Sequence, residues 1–255
     1  MNDLIGFFDS GVGGISVLHT ARTLLPRENF FYYGDNGNAP YGNKSLEEIR
    51  ALCKAGIGQL LQRDVKAIVI ACNTATAAYA EILRAEAEIP VIGMEPAIKP
   101  AQEARKTGEV LALATQATLS LPKFQRLMSL YGDHVIPLVG EGFVEIVESG
   151  KAHTQEAFER VEAVLAPYRD HPIESIVLGC THYPFLADAI GRCFPRAEIH
   201  DGRMGTVQQL RRRLEQQGLL SLAEGGSIEI QTSGGSEVLA LMHRLLEDLK
   251  EQQST

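Results

Sequence analysis

Two cysteines in this chain each close an apolar run. Cys72 follows Ala67-Ile68-Val69-Ile70-Ala71 and precedes Asn73-Thr74. Cys180 follows Ser175-Ile176-Val177-Leu178-Gly179 and precedes Thr181-His182-Tyr183-Pro184. Each run reads as a buried strand and each continuation as the start of a helix. A thiol there meets the positive end of the helix dipole, which draws its pKa below the ordinary ~8.5 and favours the thiolate. Two more segments share the layout: Phe7-Phe8-Asp9-Ser10-Gly11-Val12-Gly13-Gly14, and Gly34-Asp35 continuing to Ala39-Pro40-Tyr41-Gly42. Cys53 and Cys193 fall inside helical stretches without polar companions and read as packing residues.

Several chemistries fit two such thiols. They could form a disulfide. With His182 they could hold zinc, although Cys-x-His is not a usual zinc spacing. One could act as a nucleophile with His182 as base, leaving the other idle. Or both could work as acid–base groups, one taking a proton from carbon and the other delivering a proton to the opposite face. The glycines after Asp9 add an anion-binding reading through backbone N–H groups at a helix start. They approach a dinucleotide fingerprint with Asp35 as the ribose ligand, but Ser16 occupies the third small position at the wrong spacing.

These turns need strands and helices to aim them. Short apolar runs at Leu4–Phe8, Phe30–Tyr33, Lys66–Ala71, Ile89–Ile92, Val110–Ala114, Val135–Leu138, Ser175–Leu178, Glu198–His200 and Ser227–Gln231 predict strands. Amphipathic stretches at Leu46–Gln62, Thr154–Tyr168 and Val207–Gln216 predict helices, the first opened by a Ser45/Glu48 capping box. Such alternation implies parallel sheets covered by helices, with ligands at the carboxyl ends of strands. Two Cys turns of one kind suggest a pseudo-symmetric pair of lobes facing across a cleft. Crossings at Glu95–Pro100 and Asp201–Gly205 would divide the chain into a first lobe of residues 1–96 plus 206–255 and a second of 97–205.

Composition narrows the class. At 255 residues and 45% hydrophobic, the chain has ample material for a packed core. A net charge of −8 argues against nucleic acid or an anionic membrane as the main partner. Four cysteines are too few for a disulfide scaffold at this length. Met1-Asn2-Asp3-Leu4 does not read as a signal peptide, and no apolar run is long enough to span a membrane.

The chain resembles the glutamate racemases of the aspartate/glutamate racemase superfamily. The resemblance runs from Ile5 to about Gly235 and rests on Phe8–Gly14, Pro40-Tyr41-Gly42, Cys72-Asn73-Thr74, Thr115-Gln116-Ala117-Thr118 and Gly179–Pro184 in this order. It implies an α/β fold of two similar lobes with mostly parallel sheets, pseudo-two-fold related, with the active site in the cleft between them. It implies cofactor-independent racemisation of L- to D-glutamate for peptidoglycan in a bacterial cytoplasm, without metal; aspartate or another acidic amino acid is the alternative substrate. Cys72 and Cys180 would be the two bases, the first acting on D-glutamate and the second on L-glutamate. Asp9 would assist Cys72; His182 and Glu148 would assist Cys180. Asp9, Ser10, Pro40, Tyr41, Gly42, Asn73, Thr74, Thr115, Thr118, Thr181 and His182 would bind substrate. Glu145 stands where the family pattern has proline, with Glu141 also near, so Glu148 is one of three carboxylates for its role. A homodimer is a candidate assembly.

Overall fold

The computed structural model describes residues 3–253; Met1 and Asn2 of the N-terminal segment, and residues 254–255, lie outside them. In chain order the elements are β1 (Leu4–Asp9), α1 (Ile15–Leu24), β2 (Asn29–Gly34), α2 (Leu46–Leu61), β3 (Ala67–Ile70), α3 (Asn73–Glu86), β4 (Val91–Gly93), α4 (Ile98–Ala104) and β5 (Glu109–Ala114). Then come α5 (Gln116–Ser120), α6 (Pro122–Tyr131), β6 (Val135–Val139), α7 (Phe143–Glu148), α8 (Gln155–Leu165), β7 (Ile173–Leu178), α9 (Ala187–Cys193), β8 (Glu198–Asp201), α10 (Arg203–Gln216), β9 (Ile228–Thr232) and α11 (Ser236–Gln253).

The strands form two sheets, ordered β4-β3-β1-β2-β9 and β6-β5-β7-β8. Every strand pairing among the described residues is parallel. A parallel sheet is covered on both faces, which is why its inner strands read as unbroken apolar runs rather than alternating ones. Thus β3 is buried along its whole length, and β1 is buried from Ile5 onward. Because pairing is in register, Asp9 lies opposite Gly34 and Phe8 opposite Ile70, so the chain leaves β1 and β3 toward the same side. The largest apolar cluster joins both sheets, running from Phe7, Val12 and Val69 to Leu111, Phe143 and Leu178.

Three boundaries differ from expectation for local reasons. The fourth strand starts after Pro90, which has no N–H to donate to a ladder; its carbonyl instead accepts Ile68 N–H at 2.9 Å. Helix α10 starts at Arg203, inside the expected crossing, because the Asp201 carboxylate accepts Arg203 N–H at 2.8 Å. Helix α8 ends at Leu165 and passes into a 3₁₀ turn that contains Pro167. The capping box at α2 forms as read, with Ser45 and Glu48 bonding each other's backbone N–H groups.

Candidate active site

The carboxyl ends of β1, β3, β5 and β7 bring the chemistry-bearing residues together. Cys72 is the N-cap of α3, and its Sγ accepts Ala75 N–H at 3.4 Å and the Ser10 hydroxyl at 3.3 Å. Cys72 is 5% exposed and Cys180 7%, and both thiols are free. The expected lowering of the Cys72 pKa does not occur. Burial pushes it up to about 12, and the neighbouring Asp9 carboxylate adds to this; the Ser10 and Ala75 bonds oppose it and are outweighed. Cys72 is therefore held as the protonated thiol.

Asp9 ends β1 and is fully buried. Its Oδ1 accepts Gly11 N–H at 2.9 Å, while Oδ2 has no hydrogen-bond partner among the described residues. Burial raises its pKa to about 6, against the pull of the His182 charge. A carboxyl that stays neutral in the fold up to about 6 but ionises near 3.8 when unfolded costs stability as pH rises between those values. By pH 7 the cost is roughly 3 kcal/mol. We expect the Asp9→Asn variant to gain stability over the unsubstituted chain by roughly 2–3 kcal/mol as pH rises from 4 to 7. Urea unfolding at both pH values checks this; a constant difference would show that Asp9 ionises as an ordinary carboxyl.

Around Cys180 the structure builds a line of three groups. His182 Nδ1 lies 3.6 Å from Cys180 Sγ, and its Nε2 lies 2.6 Å from Glu148 Oε1. Burial works against a charge on His182, but its bonds to Cys180 and Glu148 overcome this and hold the imidazole protonated well above its usual range. Burial likewise works against the Glu148 charge, yet bonds from His182, Val12 N–H and Asn36 hold its carboxyl below the usual range. Of the three nearby carboxylates, Glu148 alone reaches His182; Glu141 and Glu145 are exposed. His182 Nδ1 also lies 3.4 Å from Thr181 Oγ1.

The remaining predicted residues fall into two groups. Thr74, Thr115 and Thr118 join their hydroxyls in a triangle with sides of 2.9 to 3.0 Å, linking the start of α3 to the start of α5. Asn73 is buried, with Oδ1 unpartnered among the described residues. Tyr41 is buried, but its hydroxyl donates to Asp35 Oδ2 at 2.6 Å, leaving the backbone of Pro40-Tyr41-Gly42 to face the site; Gly42 packs on Thr115.

The dinucleotide reading is overturned. Asp35 is saturated by Asn38, Tyr41 and Ser233, which makes it a scaffold residue rather than a ribose ligand. The N–H groups after Asp9 are taken by protein carboxylates: Gly11 by Asp9 and Val12 by Glu148. Cys72, Cys180 and His182 are not assembled as a zinc ligand set: among the described residues no group of three metal-ligating side chains converges. Cys53 is buried in α2, and Cys193 packs against the main core, as read.

Asn36 is the site residue that the sequence does not announce. It lies two positions past β2 in no recognisable pattern, and only its neighbour Asp35 drew attention.

Residues 16–209 match the family model described as Asp/Glu/Hydantoin racemase. The chain is 47% identical over 252 residues to a glutamate racemase of Clostridium perfringens, covering 96% of this chain and 97% of that one. Among solved structures it resembles glutamate racemase isoform RacE1 from Bacillus anthracis, with a TM-score of 0.85 and 30% identity over 96% of this chain and 94% of that one. It also resembles the Francisella tularensis glutamate racemase in complex with D-glutamate, with a TM-score of 0.82 and 26% identity over 96% and 94% of the two chains.

Proposed function

The chain belongs to the Asp/Glu/Hydantoin racemase family, and we propose that it interconverts L- and D-glutamate by two-base proton transfer at Cα. The observation that carries this reading is the pair of buried thiols, each at the carboxyl end of an inner strand of its own sheet and each with its own helpers. Ser10 and Asp9 serve Cys72; His182 and Glu148 serve Cys180.

In the direction from L-glutamate, the Cys180 thiolate takes the α-proton and the Cys72 thiol gives its proton to the opposite face. D-glutamate leaves, with Cys180 now a thiol and Cys72 a thiolate; Cys180 then releases its proton to solvent and Cys72 takes one up before the next L-glutamate, and from D-glutamate the same steps run in reverse. The protonated His182 is the ion-pair partner that a Cys180 thiolate needs, and burial keeps Cys72 protonated until it donates. The unpartnered acceptors Asp9 Oδ2 and Asn73 Oδ1 suit the substrate ammonium. Backbone N–H groups at the starts of α3 and after Cys180, with Ser10, Thr74, Thr115, Thr118, Thr181 and the Pro40-Tyr41-Gly42 turn, suit its carboxylates and the charge that develops when Cα is deprotonated. Both thiols are nearly inaccessible, so substrate enters by parting of the lobes.

For that motion we divide the chain at the two crossings into residues 1–96 plus 206–255 and residues 97–205. Strand membership supports this, since β9 returns to the sheet of β1. The product would serve peptidoglycan in a bacterial cytoplasm, and a homodimer is the proposed assembly. No helix among the described residues is long and apolar enough to cross a membrane.

The test is circular dichroism of L- and of D-glutamate incubated with dialysed protein. Both samples should converge on the racemate, with or without EDTA. Activity lost to EDTA and restored by zinc would sink the metal-free mechanism, and conversion of aspartate alone would move the substrate.

A further inference from the structure

The hydrogen-bond line ending at Cys180 does not stop at Glu148. Glu148 Oε2 accepts Asn36 Nδ2 at 2.8 Å, Asn36 Oδ1 accepts the Thr232 hydroxyl at 2.7 Å, and Thr232 Oγ1 accepts Gly234 N–H at 2.9 Å. Asn36 and Thr232 follow or end strands of the five-stranded sheet, whereas Glu148, His182 and Cys180 belong to elements around the other sheet. An amide has a donor end and an acceptor end. The Thr232 hydroxyl occupies the acceptor end, so the donor end must face Glu148.

We propose that Asn36, oriented by Thr232, is a positioning residue for the Cys180 half of the reaction. It acts by fixing the Glu148 carboxylate from across the lobe junction. With Val12 N–H and His182 Nε2 on Oε1 and Asn36 on Oε2, both carboxylate oxygens are tied and the plane of the group is set. Untying Oε2 lets the carboxylate rotate, and His182, whose bond to the thiol is already long at 3.6 Å, loses its alignment with Cys180. Because the lock comes from the opposite lobe, the Cys180 base is complete only when the lobes meet. The helpers of Cys72, Ser10 and Asp9, sit in its own lobe. The inference rests on the two-thiol reading above.

The turn carrying Asn36 is held independently by Asp35, through Asn38, Tyr41 and Ser233, so substitution of Asn36 leaves its backbone supported. L- and D-glutamate have equal free energies in water, so kcat/KM is the same in both directions for every variant and cannot reveal a one-sided defect. Primary isotope effects with α-deuterated L- and D-glutamate can. Each enantiomer reports how far its own deprotonation limits the rate.

We expect the Asn36→Leu variant to lower kcat/KM about tenfold, in keeping with loss of a hydrogen bond to a charged group. Its isotope effect should rise with L-glutamate and fall with D-glutamate. Thr232→Val, which removes only the orienting hydroxyl, should move both isotope effects the same ways by less. A slower Asn36→Leu variant with both isotope effects unchanged would mean a merely structural role and overturn the proposal, as would an unchanged rate. The unsubstituted protein in the same series separates the two readings. If it racemises while Asn36→Leu shows no opposed change, the Asn36 assignment fails and the two-thiol reading stands. If it does not racemise at all, both fail.

Discussion

Cys72→Ala and Cys180→Ala should each reduce glutamate racemisation by about 10² to 10⁴-fold, the range expected when a positioned acid or base is removed. The two losses have one cause. Inversion at Cα requires a base on one face and an acid on the other, and each thiol reaches only one face. A thiol carries a single exchangeable hydrogen, so the proton it removes is not replaced by rotation, as it could be on an ammonium group. For the unsubstituted protein in D2O, product formed early in the reaction should therefore carry deuterium at Cα while recovered substrate stays largely protiated. Early deuterium in recovered substrate would favour one base serving both faces. The line Glu148–His182–Cys180 also has the geometry of a nucleophile with its base and orienting carboxylate. Near-normal turnover by Cys72→Ala would favour that single-thiol chemistry and defeat the two-base mechanism.

How much of this was legible in the sequence depends on how local each feature is. The turns at Cys72 and Cys180 could be read because an apolar run, a thiol and a helix start are adjacent along the chain, and parallel pairing then forces both to a carboxyl edge. The strands were legible because burial on both faces demands continuous apolar residues. The Cys72 pKa was misread because the helix start is a local signal, whereas burial and the approach of Asp9 are consequences of packing. The partners of Glu148 could not be read at all. Val12 and Asn36 are separated from it by 136 and 112 residues, and no spacing rule reaches across two lobes. The glycines after Asp9 were misread for the same reason. They did signal a close approach to an anion, but the anion is the protein's own Glu148.

That close approach yields the second large effect. A Cβ on Gly13 would lie 2.5 Å from both His182 Nδ1 and Thr181 Oγ1, and one on Gly11 would overlap Glu148 Oε1. Neither glycine has a positive φ, so space rather than backbone freedom is what the position requires. The groups struck are His182 and Glu148, the helpers of Cys180, together with Thr181 beside it, and they must shift to make room. We expect Gly13→Ala to lower kcat by about 10²-fold or more, since a displacement of about 1 Å in a catalytic group costs that much. Overpacking should lower stability by only about 1–3 kcal/mol, leaving a folded protein. Gly11→Ala should behave similarly by displacing Glu148. Gly58→Ala is the control: its Cβ meets nothing within 4 Å on α2, and it should keep full activity while gaining roughly 0.5–1 kcal/mol from helix propensity. Rates measured beside urea unfolding separate the outcomes. If Gly13→Ala kept its rate within about twofold of the unsubstituted protein, His182 would not need its observed position and the Cys180 line would lose its part in the chemistry.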